Sequence, residues 1–193
     1  MQNRKWKNYF DKFIQIKMLR QWANDGFCEL YFYDESGFSL NSNVPYRWSP
    51  VGVPLQIPAN RFSKRINVLG FLNTKTKDLF HTIVTGRVDT KVVVDFFDSF
   101  AKKITKTTVC VLDNASIHTS KIFKAKIQEW EKLGLHLLYL PPYSPELNPI
   151  EMLWRFMKYE WMDLNVLDSF DNFKTHIENM LNSFGSKYDI NFG

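Results

Sequence analysis

Three acidic residues stand where their carboxylates can converge. Asp34 and Asp113 each end an apolar, strand-like run, CELYFYD and TTVCVLD respectively. In open α/β sheets ligands bind beyond the carboxyl ends of the strands, so adjacent parallel strands would bring both carboxylates together. Glu151 follows the proline-rich segment PPYSPELNP, near the predicted start of a helix. A helix beginning there can direct the third carboxylate at the same edge.

A cluster of carboxylates is the donor set that phosphodiester chemistry needs. Two divalent ions, roughly 3.5–4 Å apart, activate the attacking oxygen and stabilise the leaving oxygen. Mg²⁺ and Mn²⁺ prefer hard oxygen ligands of this kind. The competing interpretation is that each aspartate is a solvated turn residue, because aspartate is common in turns. Glu146, five residues before Glu151, is an alternative third acid.

The elements around these acids follow an order typical of an α/β domain. Strands are predicted over 28–34, within SGFSLN after a turn, and over 66–73, 78–84, 107–113 and 135–141. Helices are predicted over 4–24, from an Asp89 N-cap to about Lys103, over 118–132, from Pro149 onward, and over 168–184. The segment VPYRWSPVGVPLQIP reads as a loop or short hairpin. An antiparallel meander followed by alternating helices and strands predicts a mixed sheet flanked by helices.

Composition narrows the class of protein. A chain of 193 residues with 45% hydrophobic content can bury a core and should fold as one domain. The net charge of +5 favours a polyanionic partner, although charge alone is weak evidence. Cys28 and Cys110 lie in apolar runs without CxxC spacing, which predicts neither a zinc site nor a disulfide. The sequence has no predicted membrane span or signal peptide, so we expect a cytoplasmic protein.

Three motif strings carry a family resemblance. YDESGF around Asp34, VLDNASIHTS around Asp113 and LPPYSPELNPIEMLWRFMK around Glu151 resemble the mariner-like superfamily of insertion-sequence transposases. The resemblance extends from about residue 28 to 165. It implies an α/β catalytic domain of ribonuclease-H-like fold, with a mixed five-stranded sheet flanked by helices. We therefore expect this DDE domain over 28–193, preceded by a basic helical linker over 1–27.

The resemblance also implies a reaction and a set of ligands. The family's first carboxylate falls on Asp34, its second on Asp113 and its third, the acid closing NPIE, on Glu151. Together they would hold two Mg²⁺ or Mn²⁺ ions. The implied enzyme cuts DNA at transposon ends and joins the 3′-OH to target DNA. Its implied partners are double-stranded DNA and a second copy on that DNA, so it would associate with the nucleoid.

Two other functions fit the same sequence. A structure-specific nuclease on this fold would share the acids but release cut products without joining them. An inactive remnant that binds DNA or an active transposase would act as an inhibitor. The family's helix-turn-helix that binds the element's ends is not expected in a chain of this length, which favours the inhibitor. The interpretation that we prefer over both is the catalytic half of a transposase, with the domain that binds the element's ends outside this chain.

Several polar residues near the acids are candidates for positioning roles. Asn114 and His118 follow Asp113 and could orient water, metal-bound groups or a phosphate. Asn148 could fix the loop before Glu151 or contact DNA. Glu35 should point to the opposite face of its strand from Asp34, which predicts a structural role.

A further set of residues could contact DNA by charge or by stacking. These candidates are Arg47, Trp48, Lys64, Arg65 and Lys121, with Lys124 and Lys126 on the same predicted helix. Solvated surface charge is the alternative for each cation. The aromatic residues of the last motif, such as Trp154 and Trp161, recur at helical spacing and are predicted to be core rather than a stacking platform.

Overall fold

A computed structural model describes residues 6–40, 51–52 and 64–192 of the chain. Its strands are β1 (Glu29–Ser39), β2 (Arg65–Leu72), β3 (Leu79–Thr85), β4 (Thr108–Leu112) and β5 (Leu135–Tyr139). Its α-helices are α1 (Trp6–Asn24), α2 (Thr90–Ala101), α3 (Lys121–Lys132), α4 (Ile150–Tyr159) and α5 (Phe170–Asn182). Short 3₁₀ turns at Pro145–Leu147 and Leu164–Asp168 flank α4.

The five strands form one mixed sheet in the order β3-β2-β1-β4-β5. The first three strands are the predicted antiparallel meander, whereas β4 lies parallel to β1 and β5 lies parallel to β4. Helices separate the parallel strands in sequence, as parallel connections require. The predicted mixed five-stranded sheet flanked by helices is therefore confirmed.

Two predicted boundaries are wrong. The turn expected directly after Asp34 is absent, because β1 continues to Ser39 and pairs with β2 along its whole second half. Phe38 explains the continuation, since its buried side chain keeps the strand against the core. The helix expected over 118–132 begins only at Lys121, where the Ser120 hydroxyl caps the amide of Phe123. The proline-rich segment predicted as a loop or hairpin lies almost entirely outside the described residues.

Side chains on the two faces of the sheet belong to separate cores. Phe32 and Val111 point to the face covered by α4 and α5, where Leu153 and Ile177 are also buried. The opposite face packs against α2 and α3, and its cluster contains the residues Tyr33, Leu69, Phe97, Leu112, Phe123 and Trp130. Alternation along each strand produces this division, because successive side chains point to opposite faces.

The second core is dominated by aromatic rings. Phe71 stacks on Phe100 at 4.0 Å between ring centroids, and Phe97 contacts both Phe123 and Trp130 at about 5 Å. The Trp130 indole N–H donates to the Asp98 carboxylate at 2.7 Å, which ties α3 to α2. The α2 prediction is confirmed at its start, where Asp89 accepts from the backbone N–H of Val92.

The basic helix predicted at the start of the chain is present as α1, and most of its large apolar residues are not buried. Trp6, Phe10, Phe13, Ile14, Met18 and Trp22 are about half exposed. Ile16 and Ala23, on another side of the helix, are the residues that α1 buries. No helix among the described residues is both long enough and apolar enough to cross a membrane.

Candidate active site

Strand register places Asp34 and Asp113 side by side. Phe32 of β1 lies opposite Val111 of the parallel strand β4. Asp34 and Asp113 each follow two residues later, so they lie at the same level of adjacent strands, Asp113 just after the end of β4 and Asp34 within the longer β1. Phe32 and Val111 belong to the same core, and a step of two residues keeps both carboxylates on that face.

Helix α4 carries Glu151 to the same place by packing on a glycine. Gly70 of β2 is paired with Asp34 across the sheet. A Cβ at Gly70 would lie 2.9 Å from Cη2 of Trp154 and 3.2 Å from Cδ1 of Ile150, so only a residue without a side chain lets α4 approach this closely. Glu151 lies in the first turn of α4, directly beside these contacts.

Two of the three acids, Asp113 and Glu151, line an open cleft. A concavity of about 460 Å³ is lined by Asp113, Asn114 and Glu151, together with the proline-rich segment that begins at Pro141. Asp113 and Glu151 are exposed, and Asp34 is partly buried beneath them. The cleft is therefore open to solvent, and carboxylates form part of its wall.

Burial and mutual repulsion disfavour the charged forms of two of these acids. Burial raises the pKa of Asp34 well above its ordinary value, and the charges of Glu151, Glu35 and Asp113 raise it further. Burial also raises the pKa of Glu151, with a contribution from Asp113, although Lys158 acts in the opposite direction. Among the charges that raise the pKa of Asp34, that of Glu151 has the largest effect. The electrostatic coupling thus favours Glu151.

We expect Asp34→Asn to stabilise the fold in the absence of divalent ions. A carboxyl whose pKa is raised by folding binds more protons when folded, so its charged form costs stability at neutral pH and the cost vanishes as pH falls towards its ordinary value of 3.8. The gain at pH 7 should be about 0.5–2 kcal/mol, as is usual when a strained site is relieved.

Urea unfolding in EDTA at pH 7 and pH 4 measures this difference. The advantage of Asp34→Asn should be largest at pH 7 and shrink at pH 4. Asp171→Asn, on the first turn of α5, is the control and should show no comparable gain at pH 7. An Asp34→Asn variant less stable than the wild type at pH 7 would contradict the proposed repulsion.

Asp113 differs from the other two acids because a buried histidine holds it. His118 Nδ1 lies 2.7 Å from Asp113 Oδ1, and His118 Nε2 lies 2.9 Å from Glu35 Oε1. Burial would lower the pKa of His118, but the hydrogen bonds and charges of Asp113 and Glu35 outweigh it and raise that pKa to about 10. The hydrogen bond from His118 in turn lowers the pKa of Asp113. At neutral pH the site therefore contains an imidazolium between two carboxylates.

The two asparagine candidates both connect the proline-rich segment to the sheet. Asn148 is buried, and its Nδ2 donates to the carbonyl of Tyr33 at 3.0 Å, next to Asp34. Its Oδ1 is buried without a hydrogen-bond partner. Asn114 donates through Nδ2 to the carbonyl of Leu140. Both side chains line the cleft, so they fix its walls relative to the strand ends.

Lys158 is a site residue that the sequence analysis missed. It is close enough to Asp34 and Glu151 for both charges to raise its pKa, although burial and Arg65 lower it overall. It also lies over the ring of Phe38, 5.3 Å from the centroid. Its position seven residues after Glu151, close to two helical turns, places it on the same side of α4 and was a readable signal.

The residues predicted to contact DNA are scattered. Arg47 and Trp48 lie outside the described residues. Lys64 lies over the ring of Phe170 at 4.9 Å, and the Arg65 guanidinium lies over Gly37 and donates to Asn67. Lys121 and Lys124 are exposed on α3. Lys126 of the same helix instead pairs with Asp98 at 3.1 Å and with Glu129 at 2.6 Å, so it is engaged within the protein.

This sheet and its helices are those of a ribonuclease-H-like α/β domain, the fold of the mariner Mos1 transposase. The Mos1 paired-end complex with Mg superposes with a TM-score of 0.67 at 14% identity, covering 97% of this chain and 58% of that chain. The Mos1 strand transfer complex gives a TM-score of 0.65 at 14% identity, with 96% and 57% covered. The predicted fold class is confirmed.

The sequence itself identifies the family. The chain belongs to the DDE superfamily endonucleases, whose family model matches residues 29–174. A stretch of 68 residues is 37% identical to the protein y4pE/y4sA of Sinorhizobium fredii, covering 35% of this chain and 46% of that protein. The chain thus spans about half the length of the relatives it matches. The DDE catalytic domain expected from the motif strings is confirmed by this family model, and its fold is that of the Mos1 mariner transposase.

Proposed function

We propose that this domain cuts phosphodiester bonds at the ends of a transposable element and joins the free 3′-OH to target DNA. The observation that carries the proposal is the convergence of Asp34, Asp113 and Glu151 at one end of the sheet, in a domain of the DDE endonuclease family. The Mos1 structures with the same fold are of strand transfer and paired-end complexes. We infer DNA ends and target DNA as partners by that analogy, with two copies acting together.

The donor set fits a hard divalent cation such as Mg²⁺ or Mn²⁺. Carboxylates that repel each other are stabilised by an added positive charge, and the buried Oδ1 of Asn148 is an oxygen donor without a hydrogen-bond partner. No group of three acidic, histidine or cysteine side chains among the described residues is already close enough to enclose an ion. Asp34, Asp113 and Glu151 are the residues that would hold it. When bound, two such ions supply an activated oxygen nucleophile and stabilise the leaving oxygen.

The remaining residues have roles that follow from their positions. His118 fixes Asp113 by hydrogen bonding one of its oxygens. Asn148 and Asn114 fix the cleft wall on which the DNA strand would lie. Lys158 places a cation beside Asp34 and Glu151, where it can attract a phosphate. Lys64, Arg65 and Lys121 remain candidates for more distant contacts with the DNA backbone.

Two assays on the purified chain test this function. In the first, labelled duplex DNA is incubated with Mg²⁺, with Mn²⁺ or with EDTA, and nicking is expected only with a divalent ion. In the second, pre-cleaved ends with a free 3′-OH are supplied with plasmid target, and joined products are expected. Nicking without joining would identify a nuclease instead. Absence of both, with DNA binding retained, would identify an inhibitory DNA-binding protein.

A further inference from the structure

Glu35 is the acidic residue of the site that the proposed reaction has not used. It follows Asp34 in β1 and points to the opposite face of the sheet, as expected for consecutive residues of a strand. The sequence therefore predicted a structural role. In the structure, Oε1 of Glu35 accepts two hydrogen bonds, from the Tyr33 hydroxyl at 2.8 Å and from His118 Nε2 at 2.9 Å.

The second nitrogen of the same imidazole contacts the aspartate that follows β4. His118 Nδ1 lies 2.7 Å from Asp113 Oδ1. Ionised carboxylates only accept hydrogen bonds, so both ring nitrogens must donate, and Glu35 and Asp113 together fix the ring in its plane. The ring is fully buried against Tyr33 and Phe123, which restrict its rotation. A continuous line of hydrogen bonds thus joins Glu35 to Asp113.

The hydrogen bonds to Asp113 involve only one of its two carboxylate oxygens. His118 and the backbone N–H of Ala115, at 3.0 Å, both donate to Oδ1 of Asp113. With Oδ1 occupied by two donors, Oδ2 is the oxygen available to a ligand in the cleft that Asp113 lines. The carboxylate is half exposed, so solvent leaves it freer to rotate than a buried group, and the two donors restrict that rotation. Fixing it removes an ordering cost from the binding of a cation.

We propose that Glu35 is a positioning residue that acts through His118 to orient the Asp113 carboxylate for cation binding. The inference rests on the proposed function, because it gives Asp113 the role of a ligand. Outer hydrogen-bond partners of metal ligands typically contribute 10–100-fold to metal affinity or activity. Glu35 also offsets the positive charge of His118, so that the negative charge of Asp113 remains available to a cation.

The test compares Glu35→Gln, His118→Gln and the double variant with the wild type. Mn²⁺ affinity is measured by electron paramagnetic resonance of free Mn²⁺, and nicking is measured separately. Glu35→Gln should weaken Mn²⁺ binding by roughly 10–100-fold. Because His118→Gln already breaks the bond to Asp113, adding Glu35→Gln should weaken binding no further. Glu131→Gln, exposed on α3, is the matched control and should bind Mn²⁺ like the wild type.

A merely structural role would give a different pattern. Glu35→Gln would then lower the melting temperature in EDTA but leave Mn²⁺ affinity unchanged, and this result overturns the inference. Additive losses in the double variant also overturn it. If Glu35→Gln does not fold, Glu35→Asp carries the same comparison, because it withdraws the carboxylate from His118 by one methylene. If the wild type nicks DNA but its Mn²⁺ affinity equals that of Glu35→Gln, this inference alone is wrong. If the wild type neither nicks DNA nor binds Mn²⁺, the proposed function is wrong as well.

Discussion

Asp113→Asn and Glu151→Gln are each expected to lower the rate of divalent-ion-dependent nicking by about 1,000-fold or more. Each substitution replaces a charged oxygen ligand with a neutral amide of the same size, so the fold is retained while charge stabilisation of the transition state is lost. Several kcal/mol of such stabilisation come from bound ions. A loss of about 4 kcal/mol corresponds to three powers of ten in rate. Single-turnover nicking of a labelled duplex measures it.

Glu146→Gln is the matched control for this prediction. Glu146 is exposed in the Pro145–Leu147 turn and borders a cleft that also contains Glu151. It is therefore an acid of the same type, in the same segment, close to the same DNA path. Its substitution should leave the nicking rate within a few-fold of the wild type. A large loss in Glu146→Gln with normal activity in Glu151→Gln would reverse the choice of the third carboxylate.

Local chemistry explains why most of the fold could be predicted from the sequence. The β-branched run TTVCVLD contains no residue that breaks a strand, and Asp89 is a strong N-cap before an apolar helix face. The error after Asp34 has a physical reason. SGF is equally compatible with a turn and with a strand, and only pairing with Arg65–Leu72 decides in favour of the strand. That partner strand is distant in sequence, so a local residue pattern contains no information about the pairing.

The helix α1 shows a second limit. Its apolar residues recur at helical spacing, which predicts a helix but not which face is buried. Ile16 and Ala23 are buried while Phe10 and Trp22 remain about half exposed. Apolar residues lie on more than one side of this helix, so the choice of face depends on the shape of the sheet beneath it. Periodicity alone carries no information about that shape.

The site could be predicted in part for the same reasons. Asp34 and Asp113 each close an apolar run of the sequence, and the strand-end rule predicts that they meet, although β1 continues past Asp34 in the structure. The link from Glu35 to His118 was missed because it joins residues 83 positions apart. The close approach of α4 to the sheet depends on Gly70, and nothing in the sequence indicates that a helix packs on this glycine. These features arise from tertiary packing.

Trp154→Ala is expected to destabilise the domain by about 3–5 kcal/mol, the usual cost of removing a fully packed tryptophan. Trp154 is 2% exposed, contacts Gly70 through its six-membered ring and meets Phe38 edge to face. These contacts make it core, as predicted, rather than a platform for bases. Urea unfolding measures the loss, and Trp22→Ala is the control, since Trp22 is 49% exposed and should cost far less.

The same substitution connects stability to the site. Trp154 and Ile150 seat α4 on Gly70, and Gly70 is paired with Asp34, so this contact helps to set the position of Glu151 relative to Asp34. Where Trp154→Ala remains folded, nicking should therefore fall more than DNA binding does, because a displacement of about 1 Å can cost roughly 100-fold in rate. Equal losses in binding and nicking would instead mean that Trp154 contacts the DNA. In that case the packing of Trp154 on Gly70 would not position Glu151 relative to Asp34.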